Sequence, residues 1–151
     1  MKDTIYINDL KKSYEIINNT NSEIDNKALS MIIITSAMIT LQLSFILPTF
    51  KENPTGATTC FLSSMCYLLS IISFTLVLIT KRFKYYPDMN SIIDNYEKEV
   101  LEEEYITSTI GRYGSTNQHN LKVINFKGIV SIISFIFFIA GVILTVISVV
   151  I

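Results

Sequence analysis

Charged side chains are missing from three long stretches of this 151-residue chain. Residues 28–50, 58–80 and 128–151 contain no Asp, Glu, Lys, Arg or His, and the charged residues lie in the polar segments before and between them. A soluble domain does not segregate its charges in this way. Each stretch is longer than about 20 residues, enough for a helix to cross a hydrocarbon core about 30 Å thick. The sequence therefore predicts an all-α integral membrane protein with three transmembrane helices.

Other absences exclude further classes of protein. The formal net charge is −1 and no concentrated basic surface is visible, so we expect no nucleic acid partner. Residues 1–27 are largely polar and contain no short apolar region with a small-residue cleavage site, so a cleavable signal peptide is not expected. Position 2 is Lys2, which excludes N-myristoylation at a second-position glycine. Membrane anchoring should come from the helices alone.

Catalytic and metal-binding motifs are also missing. The single histidine, His119, has no Cys or carboxylate spaced to make a metal site or a nucleophile with it. Cys60 and Cys66 fall on different faces of a helix, so they do not form a metal-binding pair. The segment Gly111-Arg112-Tyr113-Gly114 lacks the lysine of a phosphate-binding loop and is interpreted as a bend. We predict a protein that is not an enzyme and binds no metal or cofactor.

The predicted organisation alternates polar and apolar segments. The sequence Asn53-Pro54-Thr55-Gly56 is typical of a turn, so the first two spans should form a tight antiparallel hairpin. The full order is a cytoplasmic amphipathic helix at 1–27, transmembrane helix 1 at 28–50, a short external loop at 51–57, transmembrane helix 2 at 58–80, a cytoplasmic helical segment at 81–127 and transmembrane helix 3 at 128–151.

Basic residues predict the orientation. Of the twelve, only Lys51 lies in the loop, and the other eleven lie in 1–27 and 81–127. By the positive-inside rule the N-terminus is cytoplasmic and the C-terminus external, in what we take to be a prokaryotic plasma membrane. A basic and aromatic group follows span two and is interpreted as an anchor at the lipid interface, or as a site for anionic headgroups. Its members are Lys81, Arg82, Lys84, Tyr85 and Tyr86.

The polar blocks contain patterns typical of amphipathic helices. In the first block, steps of three and four residues define a short heptad seam, which could pack on another chain or on the second block of the same chain. This seam consists of Ile7, Leu10, Tyr14, Ile17, Asn21 and Ile24. The second block should begin a helix near Pro87 and break near Gly111 and Gly114. Its acidic face could be a solvated helix face, a partner surface or a cation-attracting vestibule, and includes Glu102, Glu103 and Glu104.

Small and hydroxyl-bearing residues form a stripe on each span. Such stripes allow helices to pack closely, or they could line a pore formed by several copies. Span two contributes Ser63, Cys66, Ser70, Ser73, Val77 and Thr80. Span one contributes Ser36, Thr40 and Ser44, and span three contributes Ser131, Ser134, Gly141, Thr145 and Ser148. No charged residue lies within a span to act as a proton relay or an ion-coupling site, so a coupled transporter is not expected.

The order of these features resembles the SLATT proteins, small prokaryotic membrane proteins associated with nucleotide-signalling defence systems. The resemblance covers roughly residues 5 to 105 and comprises the amphipathic N-terminal helix, the two-span hairpin, the basic exit Lys81-Arg82-Phe83-Lys84 and the helix from Pro87 through Tyr96. It implies a pore-forming effector that damages the host membrane when triggered. The third span lies outside this pattern, and the resemblance assigns no site residue.

Two functions remain. The first is a homo-oligomeric channel or pore-forming effector, triggered through its cytoplasmic helices. The second is a non-conducting membrane anchor or accessory subunit that docks a cytoplasmic protein partner. Ion flux is expected only from the first.

Overall fold

Helices make up nearly all of the chain that the structure, a computed structural model, describes, namely residues 2–46, 54–80, 83–85 and 102–150. Helix α1 is Lys2–Leu41 and continues into a π-helical turn at Gln42–Ile46, helix α2 is Pro54–Ile79, and helix α3 is Glu102–Val150. No strand occurs among these residues, which confirms the predicted all-α class. All three helices contain segments long and apolar enough to cross a membrane, which indicates a multi-pass membrane protein.

The chain divides into two compact units. The polar unit consists of Met1–Ser22 and Lys81–Phe126, and the apolar unit consists of Glu23–Thr80 and Lys127–Ile151. The boundaries fall at or within a few residues of the ends of the charge-free stretches. This division is expected, because apolar helix segments pack against one another and polar segments pack among themselves.

The helices are longer than the predicted spans because amphipathic sequence continues the backbone hydrogen bonding beyond the apolar stretches. Helix α2 begins at Pro54, so Pro54-Thr55-Gly56, predicted to form a turn, makes the first helical turn instead. Proline suits the first position of a helix because its missing N–H would have no partner there. The Thr58 hydroxyl then donates to the Pro54 carbonyl at 2.9 Å. The prediction of a turn at these three residues was wrong.

The predicted break at Gly111 and Gly114 is also absent, because α3 passes through both glycines without interruption. Each glycine costs an interior helix about 0.5–1 kcal/mol relative to alanine. Burial on the same stretch of helix offsets this cost, since Tyr113, Thr116 and Asn120 are all buried. The helix predicted to start at Pro87 lies outside the described residues.

A seven-residue repeat defines the inner face of each helix in the apolar unit. On α2 the buried residues alternate in steps of four and three: Gly56, Cys60, Ser63, Tyr67, Ser70, Phe74 and Val77. On α1 and α3 buried residues recur every seven positions: Ala28, Thr35 and Gln42, and then Lys127, Ser134, Gly141 and Ser148. This spacing is that of coiled-coil packing, in which each residue of the seam faces the neighbouring helices.

Contacts at the two ends of the apolar unit establish the helix directions. Near one end, Ala28 of α1 packs with Phe74 and Val77 of α2 and Val130 of α3. Farther along, the α1 residue Gln42 bonds to Ser64 and Thr145. Helices α1 and α3 therefore run in the same direction and α2 runs against both. The predicted antiparallel pairing of spans one and two is confirmed, while its connection at 47–53 lies outside the described residues.

Alanine substitutions at three glycines should separate helix propensity from packing. A Cβ atom at Gly111 or Gly114 meets nothing within 4 Å, whereas at Gly141 it would lie 2.6 Å from Cε1 of Tyr67. We expect Gly111→Ala and Gly114→Ala each to stabilise the protein by about 0.5–1 kcal/mol. Gly141→Ala should lower the melting temperature instead. Circular dichroism melts in detergent measure these shifts, and a shift of the same sign in all three variants would contradict the assignment.

Candidate functional site

A polar cluster lies toward one end of the apolar unit, where residues of all three helices meet. We call it the Thr145 cluster, and its members are Gln42, Ser63, Ser64, Tyr67, Gly141 and Thr145. Ser63 and Tyr67 are fully buried, and Gln42 retains only 1% of its accessible surface. Polar groups in an apolar interior are stable only when their hydrogen bonds are made there. The contacts below meet that condition.

The hydroxyl oxygen of Thr145 joins the helices. Nε2 of Gln42 on α1 donates to it at 3.1 Å. Two hydroxyls of α2 also contact it, Ser63 Oγ at 2.7 Å and Tyr67 OH at 3.1 Å. Ser63 Oγ in addition donates to the Gly141 carbonyl at 2.7 Å. One threonine on α3 is therefore bonded to both other helices.

One arrangement of protons satisfies all of these groups at once. Ser63 donates to the Gly141 carbonyl, and Tyr67 and Gln42 donate to Thr145. The Thr145 hydroxyl then donates to Ser63 Oγ, 2.7 Å away. A hydroxyl has one proton and two lone pairs, so Thr145 is fully used in this arrangement. The amide oxygen of Gln42 accepts from Ser64 Oγ at 3.1 Å.

Close approach of α2 and α3 depends on Gly141. The Tyr67 ring lies against the α3 backbone at this residue, in space that any Cβ atom would occupy. The ring also contacts Phe138, with centroids 6.0 Å apart. In lipid, small residues at helix interfaces allow such contacts where no hydrophobic force drives association. Gly141 thus lets the Tyr67 hydroxyl reach Thr145.

A second layer of hydroxyls lies one heptad from the cluster. Ser70 of α2 is fully buried and donates to the Ser134 carbonyl of α3 at 2.9 Å. Ser134 and Thr35 are also fully buried, and each bonds to the carbonyl four residues earlier in its own helix. This layer fastens α2 to α3 without a charged group.

A buried ion pair lies near the start of the charge-free stretches. Nζ of Lys127 is 2.7 Å from Oδ1 of Asp25, and the lysine side chain is 2% exposed while the aspartate side chain is 29% exposed. The sequence by itself marks Lys127 only as one of the basic residues of the predicted cytoplasmic segment. The signal that could have revealed the pair is position, because Asp25 and Lys127 each lie within three residues of an apolar stretch on helices that run in the same direction.

The structure divides the predicted stripe of span two into inner and flanking positions. Ser63, Ser70 and Val77 are buried, whereas Cys66, Ser73 and Thr80 are half-buried. The Thr80 hydroxyl bonds to the Leu76 carbonyl of its own helix. The buried seam alternates these residues with Tyr67 and Phe74. The predicted stripe omitted both because it was defined by small and hydroxyl-bearing side chains. A seven-residue count would have found them.

The predicted stripes of spans one and three differ in burial. On span three, Ser134, Gly141 and Ser148 are buried, so that stripe faces the other helices. On span one, Ser36, Thr40 and Ser44 are all exposed. The Ser36 and Thr40 hydroxyls bond to carbonyls of their own helix. The buried side of span one carries Thr35 and Gln42 instead.

Within the polar unit, the N-terminal heptad seam packs on α3 of the same chain. The Tyr14 and Tyr113 rings meet edge to face with centroids 6.2 Å apart. Nδ2 of Asn117 donates to the Leu10 carbonyl at 3.1 Å, and Ile17 is buried. Of the two alternatives for this seam, the structure contains the contact within the chain.

Asn120 holds part of the basic and aromatic group. Its Nδ2 donates to the Lys84 carbonyl and its Oδ1 accepts the Lys84 N–H, both at 2.9 Å. The preceding Phe83 is buried, while the Lys84 and Tyr85 side chains are exposed. Lys81, Arg82 and Tyr86 lie outside the described residues.

The acidic group is only partly described. Glu103 and Glu104 are exposed on the first turns of α3, whereas the side chain of Glu102 lies outside the described part of the chain. Cys60 is buried and Cys66 half-buried, and both are free thiols. Within the described ranges, no group of three His, Cys, Asp or Glu side chains could hold a metal ion.

The class that this geometry defines is an all-helical protein with three helices long and apolar enough to cross a membrane. In comparisons with known proteins, no family model, no curated protein and no solved structure matches the chain.

Removing the Thr145 hydroxyl should destabilise the apolar unit. Thr145→Val keeps the shape but removes three interhelical hydrogen bonds, and at about 0.6 kcal/mol each the loss is about 2 kcal/mol. Thr40→Val is the matched control, since exposed Thr40 bonds only to its own helix and should change stability by less than about 0.5 kcal/mol. Equilibrium unfolding in mixed micelles measures both, and equal effects would contradict the role of Thr145.

Replacing one partner of the ion pair should destabilise the protein more than replacing both partners. Asp25→Asn leaves the Lys127 charge buried, and we expect a loss of about 2–3 kcal/mol, less than for a fully buried pair because Asp25 keeps partial exposure. The double variant Asp25→Leu/Lys127→Met should recover most of this stability. Glu23→Gln is the control, because the Glu23–Lys27 pair is exposed with atoms 3.9 Å apart. A double variant less stable than Asp25→Asn would show the expectation to be mistaken.

Proposed function

We propose that this protein is a multi-pass protein of the plasma membrane whose closed helical bundle anchors and orients a cytoplasmic surface for a protein partner. The main support is the use of the polar side chains within the spans. Ser63, Ser70 and Gln42 are buried and bonded to other helices of the same chain. A stripe that lines a water-filled pore must face water, and these side chains do not.

The outward faces of the spans support the same conclusion. They consist mainly of large apolar residues, such as Ile33, Phe61, Leu76 and Ile136, each more than 45% exposed. Exposed surface of this composition is stable in hydrocarbon and costly in water. The apolar unit therefore has the surface of a membrane anchor.

The proposed orientation places the N-terminus in the cytoplasm and the C-terminus outside. It rests on the basic residues of 1–27 and 81–127. Lys127 adds little to this bias because it is buried against Asp25. The exposed residues Lys11, Lys12 and Lys122 contribute their charges to this bias.

The proposed partner surface is the acidic start of α3. Glu103 and Glu104 are exposed neighbours in the polar unit and favour a basic partner surface. On this proposal the partner binds in the cytoplasm while the spans hold the complex at the membrane.

A homo-oligomeric pore is the second candidate. The observation that favours it is the exposed hydroxyl stripe Ser36, Thr40 and Ser44, which leaves a small-residue face of α1 available to another copy. The resemblance to the SLATT proteins implies the same activity. In this candidate the exposed stripe of α1 lines the pore, because Ser63 and Ser70 of span two are buried within the chain.

One reconstitution distinguishes the two candidates. Wild-type protein and Thr40→Leu are placed in liposomes, and flux is measured under a salt gradient. The anchor proposal expects no flux above protein-free liposomes from either. Flux from the wild type that Thr40→Leu removes would establish the pore along α1 and overturn the anchor.

Charge reversal tests the partner surface. Glu103→Lys/Glu104→Lys should abolish co-purification of a partner that wild-type protein retains from native membranes, because like charges then face each other. Lys122→Glu, an exposed reversal elsewhere on α3, should retain the partner. Equal retention by all three proteins would exclude the acidic surface.

A further inference from the structure

An open groove lies between α1 and α3 within the apolar unit. Its volume is about 600 Å³, which is within the range of about 300–1,000 Å³ common for small-molecule sites. Phe74 of α2 is buried at its base, and α1 and α3 provide the walls. Ile132 and Ile136 line the groove and are about 60% exposed, so it opens on the side of the unit that faces lipid.

The groove is polar at one end and apolar at the other. Asn26 and Lys27 lie at the end where α1 enters its charge-free stretch. Phe135 and Ile136 lie seven and eight residues after Gly128 on α3, or about 12 Å farther along the helix at roughly 1.5 Å per residue. The groove therefore follows the polarity of a lipid, from headgroup region to acyl chain.

A hydroxyl within the groove has no partner in the structure. Oγ of Ser131 is inaccessible to water and makes no hydrogen bond, although it lines the groove. Ser134, one turn later, does bond to the carbonyl four residues before it. A buried donor without an acceptor is unfavourable, so an occupant that provides an acceptor would favour the Ser131 rotamer that turns this hydroxyl into the groove.

Among the described residues that line the groove, Lys27 is the cation that can bind a phosphate. Lys27 is 3.9 Å from Glu23, but both side chains are more than 70% exposed, and such pairs contribute little. Lys127 is unsuitable because it is buried against Asp25. A phosphate at Lys27 would lie at the level expected for headgroups in the cytoplasmic leaflet.

We propose that this groove binds one glycerophospholipid, with an acyl chain along Phe74, Ile132 and Phe135, an ester carbonyl on Ser131 and the phosphate at Lys27. A resident lipid of this kind would complete the wall between α1 and α3. This site is distinct from the predicted interfacial group at Lys81 to Tyr86.

Native mass spectrometry of the purified protein with added dioleoylphosphatidylglycerol tests the site. We expect one tightly retained lipid per wild-type chain. Ile132→Trp fills the groove and should weaken retention at least about tenfold, while Ser131→Ala should weaken it about fivefold, which corresponds to one hydrogen bond. Ile133→Trp is the matched control, since Ile133 is an exposed neighbour that does not line the groove.

Three results would overturn the proposal. Retention by Ile132→Trp equal to the wild type would show that the groove is not the site. Equal loss in Ile132→Trp and Ile133→Trp would indicate general lipid contact instead. Displacement of the lipid by millimolar glycerol phosphate alone would show that the acyl chain contributes nothing. Helical circular dichroism confirms that each variant is folded before it is compared.

Discussion

The structure depends on one constraint, which is that a polar group inside a lipid-spanning bundle must find its partner within the protein. Thr145 meets this constraint for all three helices, because its oxygen contacts Gln42 of α1 and both Ser63 and Tyr67 of α2. A net hydrogen bond between such helices is modest, but an unmade one in hydrocarbon is costly. The cluster therefore specifies the register of the three helices more than it adds stability. If one helix shifted along its neighbours, the Gln42 amide would lose its partners.

Small residues and polar residues depend on each other in this bundle. Gly141 brings the Tyr67 ring against the α3 backbone, and only at that separation can the α2 hydroxyls reach Gly141 and Thr145. The same dependence accounts for the burial of the span-two stripe within the chain. Its inward members, Ser63 and Ser70, are already used to join α2 to α3, so a conducting path would have to use another surface, such as the exposed stripe of α1.

Charge is handled differently at the membrane boundary. The chain keeps its spans free of charge but places Asp25 and Lys127 just before two of them, where the lysine side chain is buried and the aspartate side chain is 29% exposed. The pair neutralises both charges at the point where α1 and α3, which run in the same direction, begin their charge-free stretches. The open groove lies next to this pair along α1 and α3, because Ile24, Asn26 and Gly128 are among the residues that line it.

The all-α class and the three long apolar helices could be predicted from the sequence, because charge-free runs of sufficient length are a one-dimensional property. The sequence also located the inward stripe of span three. Contacts between distant segments could not be read in this way. The partner of Gln42, the burial of Tyr67, the pairing of Asp25 with Lys127 and the outward placement of Ser36 and Thr40 depend on which helix faces which. Local preferences misled at Pro54 and Gly111, where helix continuity and packing outweighed turn propensity. Tertiary structure decided these points because each requires two helices to meet at a particular register, and no single stretch of sequence contains that information.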